Sequence, residues 1–143
     1  SGTCVDFGSG GGLPAVVGAI LAQGEGHTPK LTLVESDQRK ATFLRTCARE
    51  LDVPFSVVAK RIEDVPLQAA DVLTARALAD LNHLLHLSVP HLAAGGRLIF
   101  MKGAQWWDEV ERAQKNWRFS YDAVHSKTDS QAAILTIKDI ERV

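Results

Sequence analysis

The sequence predicts an α/β fold: a doubly wound, mostly parallel sheet of seven strands that ends in an antiparallel hairpin. Three observations lead there. Short apolar runs alternate with amphipathic stretches, with little spare sequence between them. A strand, a glycine turn and a helix start are compressed into Val5-Asp6-Phe7-Gly8-Ser9-Gly10-Gly11-Gly12-Leu13-Pro14. The last two strands follow each other with no helix between them, and parallel neighbours cannot be joined that way.

In chain order, Thr3 to Phe7 reads as a buried strand and Leu13 to Gln23 as an apolar helix opened by Pro14. A glycine-rich polar turn, Gly24 to Pro29, leads into a strand at Lys30 to Glu35. Asp37 to Leu51 has helical periodicity, with Ala41, Leu44, Cys47, Ala48 and Leu51 on one face. Arg39, Lys40, Arg45 and Arg49 fall mostly elsewhere; a solvated face is the simplest reading of this basic set, and RNA contact the alternative. Phe55 to Ala59 is a third strand, Arg61 to Val65 a loop or single helical turn, and Ala70 to Thr74 a fourth strand. Asp80 caps a helix running to about Pro90, with Leu81, Leu84, Leu85 and Val89 inward. Gly95-Gly96 turns the chain into a fifth strand, Arg97 to Met101, and a last helix runs from about Gln105 to Trp117. Strands near Phe119 to His125 and Ala132 to Ile137 enclose a polar hairpin loop, Ser126 to Gln131.

A chain of 143 residues, 45% hydrophobic and 23% charged, is expected to form a single domain, 1–143, without repeats or linkers. No apolar run reaches the length of a membrane span, and no leader pattern is visible at the start. Cys4 lies in a strand and Cys47 on a helix, which suits neither a disulfide framework nor a zinc site and points to a reducing, cytoplasmic setting. His83 and His86 are three apart, but no Cys, Asp or Glu completes a metal set beside them, so no metal is expected. The net charge of −1, from 16 basic and 17 acidic residues, counts against an RNA substrate, although a local patch can bind RNA on a neutral domain. Serine and cysteine nucleophile arrangements and a phosphate-loop lysine are all missing.

Open α/β sheets bind ligands over the carboxyl ends of their strands, at the point where the strand order reverses. The residues just past each strand are therefore the candidates. After the first come Gly8, Gly10 and Gly12, which allow close backbone approach, ahead of a helix start with free N–H groups. A dinucleotide fingerprint would need its third glycine where Leu13 stands. After the second comes Glu35, placed either to accept from ribose hydroxyls or to favour the dipole of the next helix. Arg61, Ile62 and Glu63 follow the third strand, and Thr74-Ala75-Arg76-Ala77 the fourth. Glu63 can equally cap a turn, whereas Arg76 has no nearby sequence carboxylate before Asp80 and is expected to face a ligand. Lys102-Gly103 follows the fifth strand, with Lys102 either functional or merely the first solvated residue. Trp106-Trp107 could stack on a base, but one buried and one half-exposed ring is the preferred reading.

The D-x-G-x-G-x-G turn from Asp6 to Gly12 resembles motif I of the class I S-adenosylmethionine-dependent methyltransferases, whose plan the element order matches. With Gly12-Leu13-Pro14, Leu33-Val34-Glu35-Ser36, Lys40-Ala41-Thr42-Phe43-Leu44-Arg45, Arg61-Ile62-Glu63-Asp64, Thr74-Ala75-Arg76-Ala77 and Gly95-Gly96-Arg97-Leu98 leading to Lys102-Gly103, the chain resembles the glucose-inhibited division protein B family. These are bacterial enzymes that methylate guanine N7 in small-subunit (16S) ribosomal RNA. The resemblance implies S-adenosylmethionine as cofactor and 16S rRNA or the small subunit as partner, with no membrane, no metal and a monomeric enzyme. It implies that Gly8 and Leu13, with Gly10 and Gly12 of the same turn, meet the methionine portion. Glu35 would take the ribose, Ile62 and Glu63 the adenine end, and Arg76 the reactive side, while Lys102 would face RNA or cofactor. Family members usually carry a helical segment before the first strand; here either the fold begins at Ser1-Gly2-Thr3 or the native protein carries such a segment ahead of it. The competing expectations are a methyltransferase of another substrate and a non-catalytic or NAD-type nucleotide-binding module.

Overall fold

The computed structural model describes residues 3–7, 30–51, 55–75, 80–125 and 133–143, and within them seven strands form one sheet. They are β1 (Thr3–Phe7), β2 (Lys30–Val34), β3 (Phe55–Val58), β4 (Ala70–Ala75), β5 (Leu92–Lys102), β6 (Trp117–His125) and β7 (Ala133–Arg142). The order is β3-β2-β1-β4-β5-β7-β6. Every pair among the first five is parallel, and β7 runs antiparallel to both β5 and β6, as the missing helix between the last two strands requires. The helix expected at Leu13 to Gln23, the turn after it and the loop Ser126 to Gln131 lie outside the described residues.

Period-two alternation sets the register. On β5, Leu98, Phe100 and Lys102 are buried while Ile99 and Met101 are only partly covered; Ala133, Leu135 and Ile137 repeat the pattern on β7. Pairing then aligns Val5, Leu73, Leu98 and Ile137 in one row across the sheet, and Phe7, Ala75, Phe100 and Leu135 in the next. A one-residue slip would turn both rows to the other face. Leu81, Leu84 and Leu85 of α2 (Leu81–Ser88), with Val110 and Ala113 of α3 (Trp106–Ala113), belong to the same buried cluster. Each such fully buried Leu, Val or Phe contributes about 1.5–3 kcal/mol.

The helix α1 (Gln38–Leu51) starts at Asp37, whose Oδ1 accepts from Arg39 N at 2.9 Å and Lys40 N at 3.2 Å. Its Ala41 is buried, whereas Arg39, Lys40, Arg45 and Arg49 are exposed. From β1 the connections run one way to β2 and β3 and the other way to β4 and β5, so right-handed crossovers put α1 and α2 on opposite faces. Asp80 caps α2 as expected, accepting from Asn82 N at 3.3 Å. The α-helix stops at Ser88, and Pro90 lies in a 3-10 turn, Val89–His91, that feeds β5.

Several boundaries differ from the sequence reading. Gly95 and Gly96 do not precede the fifth strand but lie inside it. The β4–β5 register jumps from Ala70 opposite Leu92 to Val72 opposite Arg97, leaving Asp71 against Ala93 to Gly96. The bulge needs glycine: Gly95 has φ 77°, and a Cβ on Gly96 would stand 2.7 Å from the Ala70 carbonyl oxygen. The last helix ends at Ala113 rather than Trp117, because Trp117 opens β6 as a buried strand residue with the Arg142 guanidinium 5.0 Å from its ring centroid. β7 continues to Arg142, beyond the expected end at Ile137. Thr74 and Ala75, counted above as following the fourth strand, belong to it. The strand before Glu35 ends at Val34 and the third at Val58, and the segment after it forms a 3-10 turn, Ile62–Asp64.

Gly96→Ala is expected to lower the unfolding free energy by about 2 kcal/mol in urea titration, because backbone oxygen rather than a flexible side chain occupies the space. Gly103→Ala, with nothing within 4 Å of the added carbon, should stay within about 0.5 kcal/mol of wild type. His91 gives a pH test. It is buried with its ring edge-on to Phe7 at 5.2 Å, its Nδ1 has no hydrogen bond, and burial lowers its pKa below the ordinary 6.5. The unfolded chain therefore takes up the proton first, so stability is full above pH 6.5 and falls as the pH drops towards the folded pKa. His91→Leu should flatten that part of the urea midpoint-versus-pH curve.

Candidate active site

The strand ends are level. Pairing aligns Val58, Val34, Phe7, Ala75 and Phe100, one residue from each parallel strand, in a single row near the carboxyl edge. Adjacent strands lie about 4.8 Å apart, so the row spans about 19 Å. The candidates follow it in the chain: Gly8 directly after Phe7, Glu35 after Val34 and Arg76 after Ala75, Lys102 two residues beyond Phe100, and Ile62 four beyond Val58 of β3. Strand order reverses between β1 and β4, so the edge is also the switch point where open sheets bind nucleotides. Gly8, Gly10, Gly12, Leu13 and Arg76 themselves lie outside the described residues.

Glu35 is 7% exposed. Its backbone N–H donates to the Val58 carbonyl at 3.0 Å, and its Oε2 accepts from Asp37 N at 3.0 Å. Among the described residues no cation pairs with it. A nearly buried carboxylate fixed at the edge of a sheet, with one oxygen held by the backbone, suits a ligand that brings hydroxyl donors. Ile62 packs against the core from the 3-10 turn, and Glu63 beside it is exposed. Hydrophobic contact and an acceptor thus stand together beyond β3.

At the switch point, Asp6 and Thr74 face each other across the β1–β4 ladder, and the Thr74 hydroxyl donates to Asp6 Oδ1. This fixes a buried acid two residues before Gly8. Neighbouring Cys4 has its thiol pKa pushed up to about 11, first by burial and then by the Asp6 charge, so it is no nucleophile near neutral pH.

Lys102 is not a solvated strand-end residue. It is 4% exposed, and its Nζ stands 2.8 Å from Glu109 Oε1 on α3. The same oxygen accepts the Leu81 N–H at 2.9 Å. One turn on, Arg112 Nη2 is 2.6 Å from Asp80 Oδ1, and Asn116 Nδ2 donates to Asn82 Oδ1 at 3.2 Å. One flank of α3 and its C-terminal turn therefore grips the start of α2, into which the segment carrying Arg76 runs. The Arg112 hydrogen bond holds the Asp80 carboxyl below its usual range. The sequence reading missed Glu109. An acid in the first turn of a helix was the visible signal, but which element it meets depends on the tertiary packing.

Trp106 packs on the core and Trp107 is 55% exposed, their rings edge-to-face at 5.4 Å, as preferred above. A cavity of about 330 Å³ lined by Leu92, Gly95, Gly96, Asp139 and Glu141 lies at the opposite end of the sheet from Glu35, Ile62 and Lys102. Among the described residues no three His, Cys, Asp or Glu side chains form a metal-binding group, and no helix is long and apolar enough to cross a membrane.

The family rRNA small subunit methyltransferase G (GidB) matches residues 1–136. The chain is 51% identical to ribosomal RNA small subunit methyltransferase G of Ruegeria sp. (strain TM1040) over 142 residues, which is 99% of this chain and 69% of that protein. It is 49% identical to the protein of the same name from Ruegeria pomeroyi, covering 97% of this chain and 68% of that one. The crystal structure of M. jannaschii TYW2 in complex with AdoMet superposes with a TM-score of 0.76 at 15% identity, over 100% of this chain and 70% of that chain. The fold is that of the class I S-adenosylmethionine-dependent methyltransferases.

Glu109→Ala is expected to destabilise the protein by about 3 kcal/mol, because it removes the carboxylate that holds both Lys102 Nζ and the Leu81 N–H inside the protein. Lys102→Met combined with Glu109→Leu should recover most of that loss in the same urea titration. A double variant as unstable as the single one would contradict a charge-based explanation.

Proposed function

The chain belongs to the rRNA small subunit methyltransferase G (GidB) family, and from that premise we propose that it methylates N7 of a guanine in small-subunit (16S) ribosomal RNA. The observation that carries the reading is the level row of strand ends with Glu35 one residue past it. Bound over that row, S-adenosylmethionine supplies an electrophilic methyl group on a sulfonium sulfur. Gly8, Gly10, Gly12 and Leu13 hold its methionine portion, Glu35 accepts from the ribose hydroxyls, and Ile62 with Glu63 borders the adenine.

Guanine N7 presents an exposed lone pair and no proton. No general base is required, which accords with the lack of a histidine or cysteine among the candidates. The task left to the chain is alignment. Arg76 cannot take a proton; its planar guanidinium orients guanine O6 or a phosphate, or fixes the methionine carboxylate. Lys102, buried and paired with Glu109, ties the end of β5 to α3 and so helps to hold this edge in place. The enzyme acts in the bacterial cytoplasm as a monomer, on free 16S rRNA or on the small subunit.

The test uses the full-length protein on 16S rRNA and small subunits from cells lacking the modification. It predicts 7-methylguanosine at one position by nucleoside mass spectrometry. Methyl transfer at another atom, or only to protein, would overturn the reading. Glu35→Ala should weaken S-adenosylhomocysteine binding by about 10- to 100-fold, the worth of a charge-assisted hydrogen-bonded pair. Arg76→Ala should lower kcat by about a hundredfold with the fold intact.

A further inference from the structure

We propose that the exposed face of α1 is an RNA-docking surface, on which Arg39, Lys40, Arg45 and Arg49 meet phosphates and Phe43 meets a base or ribose. The proposal rests on the rRNA reading above and names where the substrate's backbone runs.

Apart from the Asp37 cap and Arg49 in the last turn, the charges of the helix run against its own electrostatics. Arg39 and Lys40 occupy the first turn, where the positive end of the dipole disfavours cations, and no acid balances them inside that turn. Arg45 and Arg49 form a like-charge pair at i and i+4, which weakens a helix. From Gln38 to Arg49 the helix contains no acid. The contrast within the molecule lies in the first turn, where α3 has Asp108 and Glu109. Three cations elsewhere have carboxylate partners, Lys102 with Glu109, Arg112 with Asp80 and Arg118 with Glu141, while Lys60, Arg61, Arg97, Lys115 and Lys138 form no ion pair among the described residues and are not gathered on one helix. None of the four on α1 forms an ion pair among the described residues, although Arg45 Nη2 donates to the Val57 carbonyl at 3.4 Å. A surface that only had to stay soluble would mix the two signs.

Phe43 is the second observation. It is 55% exposed on this helix, four residues from Arg39 and therefore on the same face. A lone aromatic ring among cations suits nucleic acid, which offers both a phosphate and a stacking surface, better than a protein groove, which needs a continuous apolar stripe. Three of the four cations are arginines, whose planar forks bind phosphate oxygens in pairs. Location completes the argument. The first turn of α1 lies at the carboxyl edge of the sheet, where Gln38 Nε2 donates to the Ala59 carbonyl at 3.5 Å, and Glu35 is three residues upstream. The helix leads away from the site for about 20 Å, long enough to follow several phosphates. The net charge of −1 is thus no obstacle to RNA binding, since the positive charge is local.

The test compares three forms of the full-length protein on an in vitro transcript of bacterial 16S rRNA: wild type, Arg39→Gln/Lys40→Gln/Arg49→Gln, and a control, Lys115→Gln/Arg118→Gln/Lys138→Gln, on the opposite edge. Arg45 is left in place because of its backbone contact. Affinity is measured from 50 to 300 mM salt, with Tm and S-adenosylhomocysteine binding alongside. The α1 variant should flatten the slope of log Kd against log salt by about two, at about 0.7 per lost phosphate contact. Its cofactor affinity should be unchanged and its Tm equal or higher, whereas a merely structural role would lower Tm. Phe43→Ala should weaken binding about tenfold with no change in slope. An unaltered slope in the α1 variant, or an equal change in the control, overturns the proposal. A wild-type enzyme that methylates neither the transcript nor small subunits contradicts the enzymatic reading instead, and the salt slopes still decide the surface.

Discussion

Parallel hydrogen-bonded ladders on both edges of β1 hold five strand ends in one row, and the candidate site depends on that alignment. Each ladder is fixed by which residues must be buried. Val5 and Phe7 have to face the cluster shared with α2 and α3, and this leaves Asp6 on the other face opposite Thr74. Because side chains alternate, the same pairing that buries the core also delivers the acid, the glycine turn and Glu35 to one edge. No residue of the candidate site needs a register of its own.

Charge is distributed unevenly around this frame. At the switch-point side, buried or half-buried pairs fix geometry: Asp6 takes the Thr74 hydroxyl, and Glu109 joins the end of β5 to the start of α2. Such pairs add little net stability against an apolar alternative, but they leave a costly unpaired charge when one member is removed. Their value is in holding strand ends and helix starts in fixed relation, which alignment-limited chemistry needs. On α1 the logic differs, with Arg39 and Lys40 in the first turn, where the helix gains nothing from them. The bulge at Gly95 and Gly96 lies at the far end of the same strand that carries Lys102, so the backbone irregularity is kept away from the row.

Much of this was legible from the residues. The alternation of apolar runs and amphipathic stretches specified the parallel sheet, the helix-free ending specified its antiparallel edge, and Asp80 announced its helix. The place of Glu35 past the second strand was legible, but its residue type alone fitted a ribose acceptor and a helix-start acid equally. Other features were hidden for identifiable reasons. Trp117 continued a helical pattern but was taken into β6, where its ring is covered, since burial of a large aromatic outweighs local propensity. Gly95-Gly96 reads identically as a turn or as a bulge, and only the pairing with β4 distinguishes them. Lys102 read as either functional or solvated, and its buried pairing was hidden because Glu109 lies on the next helix and meets it only after the chain has turned.

The most direct test of the account is amide chemical-shift mapping of the full-length protein during titration with S-adenosylhomocysteine. The account predicts one-to-one binding, with the largest shifts at Glu35, at Ala59 to Glu63 and in the Gly8 to Leu13 turn. All of these follow the aligned row. Large shifts around Gly95 and Asp139, at the cavity on the opposite end of the sheet, with Glu35 unmoved, would contradict it.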